Sequence, residues 1–147
     1  MTNEFGKNVH TIIPARGEIY FADLGDTVEN VQGGIRPVIV VGNDVGNKYS
    51  PIAMVVPVTS KNKKPMPTHV YIGTDDTGLR YNSIALTEQA MPISKGRLGD
   101  RVGKLNEDYM NKVDFALSVT FGLVNSGIKN WQLCLFRVKY IVKEMMK

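Results

Sequence analysis

The chain has little of what many catalytic and secreted frameworks are built on. Its 147 residues include one cysteine, Cys134, two histidines and one tryptophan. A single thiol cannot form an intramolecular disulfide, so the fold is expected to stand on its core in a reducing compartment. With no cysteine–histidine cluster, no metal site is expected. No phosphate-cradling P-loop and no dinucleotide-binding glycine fingerprint occurs. No apolar run approaches the roughly 20 residues that a membrane helix needs. Met1 to Pro14 also lacks the apolar stretch of a secretion signal. The expectation is a cytoplasmic protein without membrane contact and without a cofactor.

Charge of one sign is scarce as well, once its place is considered. The net charge is +4. Residues 128–147 hold five lysines and arginines against Glu144 alone, so the rest of the chain is balanced. Attraction for a polyanion therefore has to come from local patches.

What is present fits one globular domain. A hydrophobic content of 43% is ordinary for a soluble fold, and the length supports a real core. Residues 1–15 are polar and aperiodic and read as a mobile N-terminal arm. Arg16 to Leu24 reads as a first strand, rich in β-formers. Gly25 to Gly34 is a polar loop too long for a simple hairpin, and such loops are often functional. Arg36 to Val41 is a β-branched run suited to burial on both faces. Asn43 to Asn47 carries turn chemistry, and Ile52 to Val58 is the third strand. Thr68 to Ile72 and Ser83 to Glu88 read as shorter strands. Ile93 to Val102 reads as a short helical or irregular piece followed by a strand. Asn106 is placed to cap a helix that buries Met110, Val113, Leu117, Phe121 and Val124, and Asn125-Ser126-Gly127 is placed to stop it. A stripe of Trp131, Leu135, Val138, Val142 and Met145 predicts a second, basic helix in a C-terminal extension, residues 128–147. The whole is an α+β domain on a small, strongly curved sheet or barrel.

Several segments, taken together and in order, resemble the MazF/PemK family of toxin endoribonucleases from type II toxin–antitoxin systems. They are Arg16 to Leu24, Gln32-Gly33-Gly34-Ile35-Arg36-Pro37, Asn43 to Pro51, Thr59-Ser60, Pro67 to Val70, Ser83 to Gln89 and Lys95 to Leu98. The resemblance spans about residues 16 to 125. It implies a small SH3-like β-barrel of the MazF/PemK/CcdB-like toxin fold with a C-terminal amphipathic helix, in a domain of residues 16–127. It implies a homodimer, a single-stranded RNA substrate, and an antitoxin partner whose acidic C-terminal segment covers the site. It further implies metal-independent, sequence-specific cleavage by the RNA's own 2′-hydroxyl, giving a 2′,3′-cyclic phosphate and a 5′-hydroxyl end. Arg36 and Thr59 are the implied catalytic pair.

The chemistry suits those residue types. A guanidinium offers a planar fork of donors matched to phosphate oxygens, so Arg36 suits the developing charge of a phosphorane. A threonine hydroxyl can donate one hydrogen bond to a phosphate oxygen or to the attacking hydroxyl. Glu88 and His69 are the acid–base candidates. RNA contacts are expected from Asn30, Gln32, Gly33, Gly34, Lys48, Ser60, Lys61, Lys63, Lys64 and Gln89. Tyr20, Phe21 and Tyr49 are candidates for base stacking. Outside this context an arginine at a strand margin is usually a surface ion-pair residue, a strand threonine is structural, and strand aromatics belong to the core. The chain departs from the family where Met91-Pro92-Ile93-Ser94 stands in place of a common Arg-Thr-Ile-Asp run. That loss of charge supports one alternative, an RNA-binding homologue with weak or no cleavage. A second alternative is a gyrase-directed toxin of the same fold, against which the intact Arg36 and Thr59 argue.

Overall fold

A computed structural model describes residues 12–26 and 28–124. The expected extension at 128–147 and most of the expected arm lie outside them. Seven strands run through the described residues: β1 (Glu18–Asp23), β2 (Ile35–Val40), β3 (Ile52–Thr59), β4 (His69–Ile72), β5 (Ser83–Leu86), β6 (Met91–Ser94) and β7 (Leu98–Lys104). The same residues hold two helices, α1 (Asp44–Tyr49) and α2 (Glu107–Thr120), with 3₁₀ turns at Thr87–Gln89 and Lys95–Arg97. The strands form one antiparallel sheet in the order β4-β5-β3-β2-β1-β7, with β6 paired to β3.

Strand β3 organises the sheet. One of its edges pairs with β2, Val40 facing Val55 and Val38 facing Pro57. The other edge is shared end to end. Val58 and Thr59 pair with β5, and Ile52 to Val55 pair with β6. The Thr87–Gln89 turn is the joint between those two partners.

The expected burial of β2 on both faces holds for its second half. Val38, Ile39 and Val40 are fully buried, while Ile35 is exposed. Alternation sends them to two cores, because successive strand side chains point to opposite faces. Ile39 joins Ile19, Val56, Val58, Ile72 and the α2 residues Met110, Val113 and Ala116. Val38 and Val40 join Tyr20, Ala22, Val55, Ile93 and Leu98, with Ile12 packed alongside.

Four expectations are corrected. Asn43 to Asn47 is not a turn but the start of α1, because the Asn43 side chain accepts the Gly46 amide at 2.8 Å as an N-cap. The strand expected over Ser83 to Glu88 ends at Leu86, and Glu88 lies in the 3₁₀ turn. Residues 91–94 form a strand that pairs with β3 alone among the described residues, Pro92 being tolerated because its missing amide costs nothing on the side that no described strand pairs. Helix α2 begins at the Asn106 cap as expected, with the Tyr109 amide donating to the Asn106 side chain at 2.9 Å. It stops earlier than expected, in a Schellman motif. Gly122 has φ 68°, and the Leu123 amide returns to the Ser118 carbonyl at 2.8 Å. Phe121 therefore leaves the apolar stripe and is exposed.

The two ends of the sheet do not hydrogen-bond as strands, so the expected barrel is not closed by a ladder among the described residues. Strand β7 instead meets the β4–β5 connection by bare backbone. A Cβ on Gly103 of β7 would lie 2.0 Å from the Thr77 carbonyl oxygen, and one on Gly78 would lie 2.1 Å from that of Val102. Only glycine lets the two main chains approach so closely.

Candidate active site

A cavity of about 620 Å³ opens beside this seam. Its floor is apolar, with Val58, Leu79 and Val102, and Phe21 and Pro37 stand on one wall. Phe21 pairs with Pro37 across β1 and β2, and its ring remains exposed on the face whose neighbour Ile19 is in the core. The rest of the lining is largely polar and cationic: Arg36 from the start of β2, Thr59 from the end of β3, then Ser60, Lys61 and Arg80. No carboxylate lines it. In a body with balanced charge, this segregation creates a local positive field.

Arg36 is held in place. Its Nε donates to the Gly33 carbonyl at 2.8 Å, and its Nη1 donates to the Gln32 side-chain oxygen. Gln89 fixes that loop from across the sheet. Its Oε1 accepts the Gln32 amide at 2.8 Å, and its Nε2 donates to the Asn30 carbonyl at 3.1 Å. The loop neck is tied by Leu24 and Gly34, with Gly34 at φ 73°. Gly33 is buried in this arrangement. A chain of contacts thus runs from the Thr87–Gln89 turn through the long loop to the guanidinium.

Thr59 is 3% exposed, and its Oγ1 accepts the Lys61 amide at 3.2 Å. The hydroxyl proton donates to no group among the described residues, so it is available to a ligand oxygen.

The remaining sequence candidates divide. Glu88 and His69 find each other, His69 Nε2 lying 2.9 Å from one Glu88 oxygen while Thr68 donates to the other at 3.0 Å. Neither lines the cavity. Lys63 and Lys64 are exposed on the loop after Ser60, and Lys48 lies on α1, its ammonium 5.2 Å from the Tyr49 ring centroid. These three lysines do not line the cavity either. Of the aromatic candidates, Phe21 lines it, Tyr20 is buried and bonds Glu18, and Tyr49 stays beside Lys48. Arg80 and Tyr81 were not singled out in the sequence. The signal available was an arginine–tyrosine pair one residue after the Asp75 to Gly78 turn.

The perturbed titrating groups, on β1 and at the start of α1, do not line the cavity. Burial pushes the Glu18 carboxyl up, but the Ala15 amide, Arg101 and Tyr20 together bring it below its ordinary value. Burial first, then the Glu18 charge, raises the Tyr20 phenol. The Arg16 amide and then the Asn47 side chain lower Asp44. Among the described residues no group of three or more histidine, cysteine or carboxylate side chains could hold a metal. No described helix is long and apolar enough to cross a membrane.

The fold has counterparts among known proteins. A family model for the PemK-like, MazF-like toxin of type II toxin–antitoxin systems matches residues 15–121. The chain belongs to this family. A relative, endoribonuclease EndoA of Bacillus subtilis (strain 168), is 43% identical over 115 residues, covering 78% of this chain and 99% of that protein. A solved structure of a mycobacterial endoribonuclease in complex with its cognate antitoxin aligns with a TM-score of 0.65 at 28% identity. It covers 76% of this chain and 98% of the other. MazF of Deinococcus radiodurans, with a TM-score of 0.66 at 20% identity and coverage of 76% and 98%, shares the fold. The family match ends before the basic residues 128–147.

Proposed function

We propose that this family member is a toxin endoribonuclease that cuts single-stranded RNA without a metal, and that the cavity between β2 and β3 is where it cuts. One observation carries the reading. Arg36 and Thr59, from different strands, line a single cavity with Lys61 and Arg80 and with no carboxylate.

In this reading the 2′-oxygen attacks the adjacent phosphorus, the bond to the 5′-oxygen breaks, and a cyclic phosphate forms. The 2′-hydroxyl proton leaves to solvent water and the 5′-oxygen takes one from water, so the step is balanced in protons. Arg36 faces the extra charge on the phosphorane, its fork already aligned by Gly33 and Gln32. Thr59 donates its free hydroxyl proton to a phosphate oxygen. Glu88 and His69, bound to each other and to Thr68, serve as positioning residues for the turn that carries Gln89. Gln32 and Asn30 belong to the loop that Gln89 staples, and Lys61 contributes a phosphate contact. The close packing of Gly78 on Val102 and of Gly103 on Thr77 supports reading the sheet as an SH3-like barrel. An antitoxin with an acidic segment suits the same cation-lined cavity, and the family relationship supports a homodimer acting in the cytoplasm.

The test is direct. Purified, antitoxin-free protein is incubated with a long RNA in EDTA, and the ends are mapped. Cuts ending in 2′,3′-cyclic phosphate and 5′-hydroxyl are expected, with Arg36→Ala losing about 100- to 1,000-fold in rate while remaining folded. An absence of cyclic ends from folded wild-type protein would sink the reading. The intact pair of Arg36 and Thr59 weighs against a gyrase-directed toxin, which has no use for a phosphorane site.

A further inference from the structure

A second cavity, of about 390 Å³, adjoins the first, and both are lined by Ser60, Lys61 and Ser83. Its size is within the range of small-ligand sites, roughly 300–1,000 Å³. Nothing in the cleavage chemistry uses it. Its far walls come from β4, from the segment before β5, and from α2.

The lining has the three parts a nucleotide requires. Tyr71 is an exposed aromatic on β4 between buried Val70 and Ile72. A base can stack on such a ring whatever its identity. Lys61 and Lys112 supply cations, and no carboxylate lines this cavity either. The Lys112 ammonium lies 5.7 Å from the Tyr109 ring centroid. Tyr109 in turn accepts the Gly73 amide on its hydroxyl at 3.0 Å, which leaves its own proton for a ligand oxygen. The approach is tight, since a Cβ on Gly73 would lie 3.2 Å from that hydroxyl. Asn82 brings a side-chain amide with both donor and acceptor, able to read a base edge.

We propose that this second cavity is a subsite for the nucleotide next to the cut, with its base on Tyr71, its edge against Asn82 and its phosphate between Lys61 and Lys112. The inference rests on the RNA-cleavage reading of the first cavity. An acidic peptide would satisfy the lysines, but it would leave the tyrosine face and the asparagine amide unused, so RNA is the better fit.

The test uses RNA oligonucleotides spanning a mapped cut, with 2′-deoxyribose at the cut so that they bind uncut, in full length and shortened one nucleotide at a time from each end. Wild type, Tyr71→Ala and Lys112→Met are compared by fluorescence anisotropy and, on cleavable versions, by kcat and KM. Tyr71→Ala is expected to weaken the full-length RNA about 5- to 150-fold. It should leave unchanged the RNA that lacks the neighbouring nucleotide, and raise KM with kcat preserved. Lys112→Met should act in the same length-dependent way and lower the salt dependence. Equal weakening at every length, or none, overturns the proposal while wild-type cutting keeps the first reading intact. Weakened capture of an acidic antitoxin-tail peptide with RNA affinity unmoved also overturns it, because the cavity would then be a protein site. A wild-type protein that neither binds nor cuts RNA overturns both.

Discussion

Arg36 and the lysine loop after Thr59 bring positive charge to neighbouring ground in opposite ways. The guanidinium is fixed by the Gly33 carbonyl and the Gln32 side chain, and Gln89 fixes that loop from the far side of the sheet. Lys61, Lys63 and Lys64 are exposed, and their ammonium groups have no hydrogen bond or ion pair among the described residues. A held donor is aligned before the transition state arrives and spends nothing on reorganisation. A loose cation gives up side-chain freedom each time it binds and is screened by salt. The first kind of charge is suited to lowering a barrier, the second to gathering a polyanion.

The sharpest way to break this comparison is Arg36→Lys. It keeps the charge and removes the fork that matches phosphate oxygens. If alignment is what matters, kcat falls about 100-fold or more while RNA affinity changes far less. Single-turnover cleavage and anisotropy separate the two. Near-normal kcat in the lysine variant would mean that charge alone suffices and that the Gly33 and Gln32 bonds are incidental.

Next in size is Gln89→Ala, which touches neither cavity and removes only the staple on the loop. A misplaced guanidinium is expected to cost roughly ten- to a hundredfold in kcat, with KM steady. Amide exchange at Gln32 should accelerate in parallel, since its amide loses an acceptor. Unchanged kcat with faster exchange would show that the loop can loosen without moving Arg36.

How much of this was legible beforehand follows from what is local. Strands β1 to β4, the Asn106 cap and the candidate pair at two strand ends could be read from runs of β-formers and short motifs, because alternation and capping are decided within a few residues. The six-residue α1 could not, since Gly46 argues against a helix and only the Asn43 cap makes it. Strand β6 was hidden by Pro92, whose tolerance depends on β6 pairing with β3 on one side only among the described residues. The cavity walls were less legible still. Arg80, Tyr71 and Lys112 meet Lys61 only because β4, β5 and α2 pack together around one end of β3, and no spacing in the chain encodes that. The Gly78 and Gly103 seam is likewise a contact between distant glycines, each of which reads locally as an ordinary turn or strand glycine.

The smallest expected effect tests the loose side of the comparison. Lys63 and Lys64 lie beyond the cavity lining on an exposed loop, so they can act on RNA only through solvent-screened attraction. Replacing both with alanine should raise KM by roughly two- to fivefold per lysine, the worth of an exposed ion pair. The salt slope of binding should fall by about 0.7 per lysine on single-stranded RNA. The cut positions and kcat should stay as they are. Lys48→Ala, on α1 away from both cavities, provides the baseline and should move neither quantity. A fall in kcat in the double variant would place those lysines on the reacting phosphate, and the division between aligning and gathering charges would then fail on the side that the structure leaves least constrained.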